Sequence, residues 1–463
     1  MPDRGELRAG ARVTVDCVDL DDDGAGVVAG TPRLHVAGAL PGERVAATVA
    51  HVSPHGSEVW ARLAAVETPS PARRPPACRA FGACGGCVLQ HLAYDAQLAW
   101  KQARVARALA AHPALAAVTV AATVASPRTL GYRNRSKLVA ARAGGRLVLG
   151  AYAPRSHDVV DLSGCRIAEP PLDDTAAALA ALLDEAGVAP YDERTLTGDL
   201  RHVILQVAHD GRVLAVWVTR RGLADGVALA RRFRAARPEV AGVVSHVNRT
   251  RGNAIFDPDG ETATLDGVAT LVDELDVDVN VGGRPLRLQL SAGAFFQANR
   301  EVAARAYAAI ARGLAPRPGE KAVDVYCGAG GISLVLARAG AETLGIETHP
   351  GAVADASAAA ALDGAASARF VAGDAARARH AVPRADLVVL NPPRKGCAEA
   401  VLAEVVRLGP RAVAYLSCDA DTLARDLAWL AARGYRARDV TPLDMLPHTP
   451  HVEALALLVQ SPR

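Results

Sequence analysis

The sequence has no apolar run long enough to cross a membrane and no secretory leader. Its most apolar stretch, 105–125, is interrupted by Arg107 and Pro113 and falls short of the roughly 20 clean apolar residues that a span requires. The N-terminus carries charges and has no apolar core of the kind that a signal peptide needs. We therefore expect a soluble, cytoplasmic protein without a membrane partner.

The composition also lacks any strong bias. The 41 glycines and 28 prolines are close to average usage, which excludes a fibrous or low-complexity protein. A net charge of +3, from 52 basic and 49 acidic side chains, is only mildly basic and does not by itself indicate a nucleic-acid partner. With 50% hydrophobic residues the chain can build sizeable cores, and 463 residues at about 150 per domain suggest about three domains.

Three segments of the chain differ in pattern. Residues 1–67 hold short strand-like segments between turns, which favours an OB-like β-barrel, although another small barrel or an SH3-like module would show the same pattern. Residues 68–288 begin with a proline-rich linker and predict a central α+β domain, whose helix at about 94–111 could pack on the next domain. From 289 to 463, strands and helices alternate as in a doubly wound parallel sheet, which predicts a Rossmann-like α/β domain.

A glycine turn follows the first strand of this last domain. The segment Val323–Gly331 runs from a strand into a helix, and Glu347, at the end of the next strand, is placed to bind ribose hydroxyls. The spacing GxGG lacks the dinucleotide fingerprint, which favours S-adenosylmethionine over a nicotinamide cofactor. A tight helix-packing turn without a ligand is the alternative. Asp374 follows the next strand and could reach the adenine or merely cap a helix.

A Pro-Pro turn ends another buried strand. Asn391, at the carboxyl edge where ligands bind, could hydrogen-bond an amino group, as in the NPPY motif of the amino-group methyltransferases that this turn resembles. Arg394 replaces the aromatic ring that would stack on a base in that motif, and together with Lys395 it would suit a phosphate.

Two further candidates lie near the C-terminus. A lone cysteine is more often packing than function, but Cys418 ends a strand beside the expected cofactor pocket, which favours a functional role. In the run His448–Glu453, the spacing of histidines and glutamate suggests a metal, yet Pro447 and Pro450 break any helix there. Glu453 is better interpreted as an acid/base group, with an exposed strand-end carboxylate as the alternative.

Cysteines cluster early in the chain. Cys78, Cys84 and Cys87 lie within ten residues, and Cys165 is the plausible fourth of a quartet. In a reducing compartment such a cluster indicates metal ligation rather than disulfides. Four thiolates would bind zinc or an iron–sulfur cluster, and the three-plus-one spacing favours the iron–sulfur cluster. Free buried thiols are the remaining alternative.

Together these residues resemble, over nearly the whole chain, the bacterial S-adenosylmethionine-dependent RNA uracil-C5-methyltransferases. The resemblance is to the subgroup with an N-terminal TRAM domain and a [4Fe-4S] cluster, typified by the 23S rRNA enzymes. The matching segments are Pro41-Gly42-Glu43, the four cysteines, Tyr132-Arg133-Asn134, Phe295–Asn299, Asp324–Gly331, Asn391–Gly396, Ser417-Cys418 and Pro447–Glu453.

The resemblance implies a fold and a set of functional residues. The C-terminal domain would be a class I methyltransferase domain, with Cys418 as nucleophile and Glu453 as base. The implied contacts of S-adenosylmethionine are Gln297, Tyr326, Gly331, Glu347, Asp374 and Asn391, and the implied cluster ligands are Cys78, Cys84, Cys87 and Cys165. The family usually has Asp in place of Asn391 and Asn-Pro in place of Asp419-Ala420, and these are two departures.

The expected reaction is methylation of C5 of a uridine in RNA. We expect 23S rRNA as the substrate and a monomeric enzyme; the same reaction on tRNA is the alternative. Amino-group methylation at the Asn391 turn is less favoured, and a noncatalytic RNA-binding or redox-sensing protein is a third hypothesis. Arg133 and Arg135 are candidate phosphate contacts, or else solvated surface charges.

Overall fold

The chain folds into two compact units. The computed structural model describes residues 7–54, 57–252, 254–278, 284–294, 296–376 and 382–461, so that Phe295 of the expected cofactor segment lies outside the described residues. The first unit combines Met1–Lys101 with Tyr152–Val160 and Leu446–His451, and the second contains the rest. Within the described ranges, no helix combines the length and apolarity of a membrane span. The three-domain division at 67 and 288 stays a prediction.

The first unit contains a six-stranded sheet. Its strands are β1 (Arg12–Asp16), β2 (Asp19–Leu20), β3 (Gly26–Val28), β4 (Arg33–Ala37), β5 (Arg44–Val52) and β6 (Glu58–Thr68), in the spatial order β1-β5-β6-β4-β3-β2. Alternate residues of β5 point inward, where Val45, Ala47 and Val49 are buried, as expected for a strand with one face on a core. After the sheet, helix α1 (Tyr94–Ala110) begins in this unit and continues into the second.

The second unit begins with a mixed sheet and two covering helices. The elements after α1 are β7 (Thr119–Val120), β8 (Arg135–Ala143), β9 (Arg146–Tyr152), β10 (Val159–Asp161), α2 (Pro170–Glu185), β11 (Leu200–Val207), β12 (Val213–Thr219), α3 (Gly226–Ala236), β13 (Val240–Val247) and β14 (Thr262–Gly267). Of these, Tyr152 of β9 and the first two residues of β10 fall in the first unit. Strands follow one another as β9-β8-β11-β12-β13-β14. Leu179 of α2 and Phe233 of α3 pack in one core with Trp217 of β12, so the helices cover one face of this sheet.

The remaining elements form a hairpin and a larger sheet. They are β15 (Thr270–Leu275), β16 (Leu286–Ser291), α4 (Arg300–Leu314), β17 (Lys321–Val325), α5 (Gly331–Arg338), β18 (Glu342–Glu347), α6 (Pro350–Asp363), β19 (Ala368–Ala372), β20 (Leu387–Leu390), α7 (Glu399–Leu408), β21 (Ala412–Ser417), α8 (Ala420–Ala431), β22 (Tyr435–Leu443) and β23 (Glu453–Gln460). The sheet order is β19-β18-β17-β20-β21-β23-β22-β7.

This sheet is mixed, not wholly parallel. The neighbours from β19 to β21 are parallel, as the alternating pattern predicts, but β23 is antiparallel to both β21 and β22. The expectation of a parallel sheet is therefore wrong for the last strand. No helix connects β22 to β23, and without such a crossover a returning chain pairs antiparallel.

Candidate active site

The carboxyl ends of the parallel strands meet at one edge of the large sheet. Tyr326 follows β17, Glu347 ends β18, and Asn391 and Cys418 follow β20 and β21. The ligand-binding crevice of an open α/β sheet lies outside such strand ends. The sheet thus brings these predicted residues to one edge, whereas Gln297 comes from the segment that precedes α4.

The glycine turn is tightly packed on one side and open on the other. A Cβ atom on Gly330 would lie 2.8 Å from the ring of Phe370, and one on Gly331 would lie 2.7 Å from the ring of Tyr307. These two glycines are therefore required by packing within the protein. A Cβ on Gly328, whose φ is +53°, would meet nothing within 4 Å, so this part of the turn leaves room for a ligand.

Asp324 leaves one buried oxygen atom without a partner. The hydroxyl of Ser333 donates to its Oδ2 at 2.6 Å, while Oδ1 has no hydrogen-bond partner among the described residues. Burial, together with the charge of Glu347, raises the pKa of Asp324 to about 7 against the hydrogen bonds from Ser333. An unpaired buried carboxylate oxygen is costly, and water or a polar ligand would satisfy it. The donor set and the open side of Gly328 fit an S-adenosylmethionine site.

Glu347 is held at the glycine turn by backbone donors. The amide of Gly328 donates to its Oε2 at 3.2 Å, and the amide of His349 donates to Oε1 at 3.0 Å. The carboxylate is therefore fixed at the end of β18, next to the open glycine. This position suits a carboxylate that accepts hydrogen bonds from ribose hydroxyls.

The other expected cofactor residues are supported to different degrees. Asp374 is exposed, and its Oδ1 accepts a hydrogen bond from the amide of Ala376 at 3.0 Å, so it caps the following turn as the alternative interpretation expects. Asn391 is half-buried, and its backbone N–H donates to the carbonyl oxygen of Val325 at 3.3 Å. Gln297 is buried, and its backbone carbonyl oxygen accepts a hydrogen bond from Asn134 Nδ2 at 3.0 Å.

Arg135 corrects one prediction from the sequence. Its guanidinium is buried and donates to the carbonyl oxygens of Ala294 and Ala292. Burial, followed by the charge of Arg133, lowers the pKa of Arg135 to about 10. The side chain is therefore neither a phosphate contact nor a solvated surface charge, because it holds the backbone of the segment that leads to Gln297.

Cys418 and Glu453 lie beside the same end of an antiparallel strand pair. In the pair of β21 and β23, Ser417, the last residue of β21, pairs with Ala454. Cys418 directly follows Ser417 and Glu453 directly precedes Ala454, and the charge of Glu453 acts on the Cys418 thiol. Both side chains are half-buried. Glu453 is the first residue of β23, as the sequence analysis expects.

Burial perturbs both groups, and the charge of Glu453 adds to the shift of Cys418. Burial raises the pKa of Glu453 to about 7, against the opposing charge of Arg394. Burial, followed by the charge of Glu453, raises the pKa of Cys418 to about 11, and Arg394 again opposes the shift. At neutral pH the thiol is therefore protonated, while the carboxyl group titrates close to neutrality.

Arg394 has a place at this pair that the sequence analysis did not assign to it. Its charge acts on both Cys418 and Glu453, which is a different role from the phosphate contact expected for Arg394. The sequence position of Arg394, directly after the Pro-Pro turn, could have indicated this role. The turn follows β20, Cys418 follows β21, and the carboxyl ends of these two parallel neighbours adjoin.

Asp419 supplies the cap of the helix after the cysteine. Its Oδ1 accepts from the amide of Thr422 at 2.9 Å, and its carbonyl oxygen accepts from the Ser417 hydroxyl at 3.0 Å. Aspartate is among the preferred N-cap residues. Asp419, which replaces the Asn usual in the family, therefore caps α8. Cys418 lies between the end of β21 and this capped helix.

The segment before Glu453 is clamped by residues that the sequence analysis missed. His448 has a left-handed backbone, with φ of +68°, and its amide donates to Gln97 Oε1 at 2.9 Å. The buried amide nitrogen of Gln97 donates to Leu89 O at 3.1 Å and to Leu92 O at 2.7 Å. The ammonium of Lys101, also buried, donates to Leu446 O at 3.2 Å. All of these residues belong to the first unit.

The four cysteines expected as cluster ligands are divided between the two units. Each is half-buried and free of disulfides; Cys78, Cys84 and Cys87 belong to the first unit and Cys165 to the second. In the part of the chain that the structure describes, no three His, Cys, Asp or Glu side chains are grouped closely enough to hold a metal ion. The structure therefore adds no support of its own to a metal or cluster at these cysteines.

Known proteins resemble this chain in sequence and in fold. The family model described as tRNA (uracil-5-)-methyltransferase matches residues 267–461. An uncharacterized RNA methyltransferase of Geobacter sulfurreducens is 38% identical over 99% of this chain and 90% of its own length. Another, from Halalkalibacterium halodurans, is 36% identical over 96% of both chains. The crystal structure of Pyrococcus abyssi tRNA (uracil-54, C5)-methyltransferase with S-adenosyl-L-homocysteine matches with a TM-score of 0.76 and 25% identity, over 96% of this chain and 100% of that one.

Proposed function

The chain belongs to the family of S-adenosylmethionine-dependent RNA uracil-C5-methyltransferases, and on that premise we propose that Cys418 is its nucleophile and Glu453 its base. The observation that carries this proposal is the pairing of Ser417 with Ala454, because Cys418 and Glu453 are the chain neighbours of that pair at one end of β21 and β23. The raised pKa of Glu453, about 7, supports the role of a base that works near neutral pH.

The chemistry requires these two groups because C5 of uracil is a poor nucleophile. The thiolate of Cys418 adds to C6, and the electron pair of the C5–C6 double bond moves into an enolate, which makes C5 reactive. S-adenosylmethionine, when bound, supplies the methyl group that C5 then takes. Glu453 removes the C5 proton, and the electrons of that C–H bond restore the double bond and expel the Cys418 thiolate.

The proton of the resting thiol must also be accounted for. The pKa values of about 11 for Cys418 and about 7 for Glu453 differ by four units. Moving the proton from the thiol to the carboxylate therefore costs at most about 5 kcal/mol at 1.36 kcal/mol per unit, because protonated Glu453 no longer repels the thiolate. We infer that the bound uracil offsets this cost as the C–S bond forms. Glu453 then passes that proton to solvent before it accepts the one from C5.

The cofactor residues are proposed from the edge of the sheet. We propose that Gln297, Tyr326, Gly331, Glu347, Asp374 and Asn391 contact S-adenosylmethionine, and we add the unpaired oxygen of Asp324. Calorimetric titration of the full chain with S-adenosylhomocysteine tests this set. Glu347→Ala should weaken binding, and Glu342→Ala, at the exposed start of β18, should leave it unchanged. Equal affinities in both variants would contradict the assignment.

The experiment that tests the catalytic proposal is covalent trapping. RNA that contains 5-fluorouridine lacks the proton that must leave C5, so the enzyme should remain attached to it after methyl transfer. We expect a stable adduct with the wild-type chain and none with Cys418→Ala. Methylation of an amino group at the Asn391 turn requires no such adduct, and an adduct that persists in Cys418→Ala would refute the role of this cysteine.

The RNA substrate is a separate proposal. We propose 23S rRNA, which the sequence resemblance favours, with a monomeric cytoplasmic enzyme whose N-terminal sheet is an RNA-gripping TRAM barrel. A tRNA is the second candidate, because the descriptions of the matching family model and of the Pyrococcus abyssi enzyme both name tRNA as the molecule that is methylated. Mapping 5-methyluridine in both RNAs from a deletion strain decides between them.

A [4Fe-4S] cluster is proposed from the sequence spacing alone. Cys78, Cys84, Cys87 and Cys165 would be its ligands. No step of the reaction passes through this group. Iron and sulfide should be found in protein purified without oxygen, whereas stoichiometric zinc without iron would refute the cluster.

A further inference from the structure

The turn that carries Arg394 is fastened to helix α8. Thr422 donates its hydroxyl hydrogen to the carbonyl oxygen of Arg394 at 3.1 Å. The guanidinium of Arg425 donates to Lys395 O at 3.1 Å and to Cys397 O at 3.3 Å. The carbonyl groups of three residues of the turn are therefore held, and the shape of the turn sets the position from which the side chain of Arg394 extends.

A buried carboxylate, Asp426, organises this attachment. Its Oδ2 accepts from the amide of Cys397 at 2.8 Å and from the Tyr415 hydroxyl at 2.6 Å, while its Oδ1 accepts from Arg425 Nε at 2.8 Å. Only 1% of Asp426 is exposed. One side chain thus joins the turn to β21 and holds Arg425 in the orientation that reaches the turn. Charge-assisted hydrogen bonds of this kind are stronger than neutral ones.

The turn fits closely against this attachment. Gly396 has φ of +72°, and a Cβ atom there would lie 2.5 Å from the guanidinium of Arg425 and 2.8 Å from Asp426 Oδ2. Glycine is needed both for the backbone conformation and for the close approach. The path of the backbone between Arg394 and Cys397 is therefore determined by Arg425 and Asp426.

The turn places the positive charge of Arg394 near Cys418 and Glu453. Its positive charge lowers the pKa of Cys418, at the end of β21, and of Glu453, on β23. The other groups that act electrostatically there are Asp419, at the start of α8, and Tyr307 of α4. Asp426 itself bonds to the turn, to Tyr415 and to Arg425. It can act on Cys418 by setting the position of Arg394, and the direct effect of its own negative charge has the opposite sign.

We propose that Asp426 is a positioning residue, which aims Arg394 at Cys418 and Glu453 by fixing the backbone from Arg394 to Cys397. The inference rests on the proposed roles of these two groups. Its test reads the ionisation of Cys418, which is a property that the thiol has whether or not it attacks uracil. Failure of this inference is thus distinguishable from failure of the catalytic proposal.

The test is the pH dependence of alkylation at Cys418. The full chain is treated with iodoacetamide between pH 7 and 11, and modification of the peptide with Cys418 is followed by mass spectrometry. Asp426→Asn should shift the profile upward by about 0.5–1 unit, because a displaced Arg394 no longer favours the thiolate. A direct effect of the lost negative charge would shift it downward. An unchanged or lowered profile overturns the proposal.

Two further variants keep the test decisive. Arg425→Gln replaces an exposed side chain and should shift the profile in the same direction even where Asp426→Asn does not fold. In an Arg394→Gln background, neither substitution should add a further shift, and an additive shift overturns the proposal. The matched control is Asp363→Asn, which breaks another buried Asp–Arg pair, with Arg338, and should lower stability without moving the profile.

Discussion

Replacement of Glu453 by glutamine should separate methyl transfer from product release. Glutamine keeps the size of the side chain at the first position of β23 but cannot accept the C5 proton. A positioned base accelerates a proton transfer by about 100- to 10,000-fold, so turnover should fall by a factor in that range. The substitution also removes the carboxylate that receives the thiol proton, but the negative charge that raises the pKa of Cys418 disappears with it. The thiol can then lose its proton to solvent, so formation of the C–S bond should be slowed less than removal of the C5 proton.

The assay is a single turnover with radiolabelled S-adenosylmethionine and the RNA substrate. In Glu453→Gln, label should accumulate in a protein–RNA complex that survives denaturation, whereas the wild-type chain releases labelled RNA. Glu342→Gln, at the exposed start of β18, is the control and should behave like wild type. Release of free methylated RNA at the normal rate by Glu453→Gln would falsify the assignment of the base.

Three further predictions follow from other contacts and from the same carboxylate. The pKa of Glu453 is about 7 in the folded chain, against an ordinary value of 4.5. Its ionised form therefore lowers the free energy of unfolding above pH 7, by at most about 3 kcal/mol. Glu453→Gln should raise the melting temperature at pH 8 but much less at pH 5. A larger gain at pH 5 would contradict this sign. Gln97→Leu removes the hydrogen-bond partner of backbone groups of Leu89, Leu92 and His448. It should lower the free energy of unfolding, measured in urea, by about 2–4 kcal/mol. A decrease below about 1 kcal/mol would contradict the proposed role of Gln97 in holding this segment. Gly330→Ala would set a Cβ 2.8 Å from Phe370, with φ of +83°, and should cost about 2–4 kcal/mol by the same measurement, while an alanine at the open Gly328 should cost less.

Much of the candidate site could be predicted because its residues lie at strand ends. Buried strands are visible in the sequence as short apolar runs, and parallel neighbours place the residues that follow them at one edge. Glu347, Asn391 and Cys418 could therefore be assigned to the edge without coordinates. The meeting of Cys418 with Glu453 came from the family resemblance, because strand register depends on long-range pairing that no local pattern encodes.

Other features gave no usable local signal. Helix α6 contains seven alanines in Pro350–Asp363, so its buried and exposed faces differ little in hydrophobicity and the helical period is weak. The antiparallel direction of β23 depends on which strands it joins, not on its own composition. Arg135 shows the same limit for charge, since a buried arginine bonded to carbonyl oxygens cannot be told from a surface arginine by sequence alone.

The left-handed backbone of His448 links the evolution of two distant positions. A residue other than glycine pays roughly 1–2 kcal/mol for that conformation, and here Gln97 accepts a hydrogen bond from its amide and so holds it in place. A lineage that lost the glutamine could keep the same chain path by acquiring glycine at 448, since glycine adopts it without penalty. Substitutions at these two sites should therefore be inherited together, and the order in which they are fixed should be glycine first.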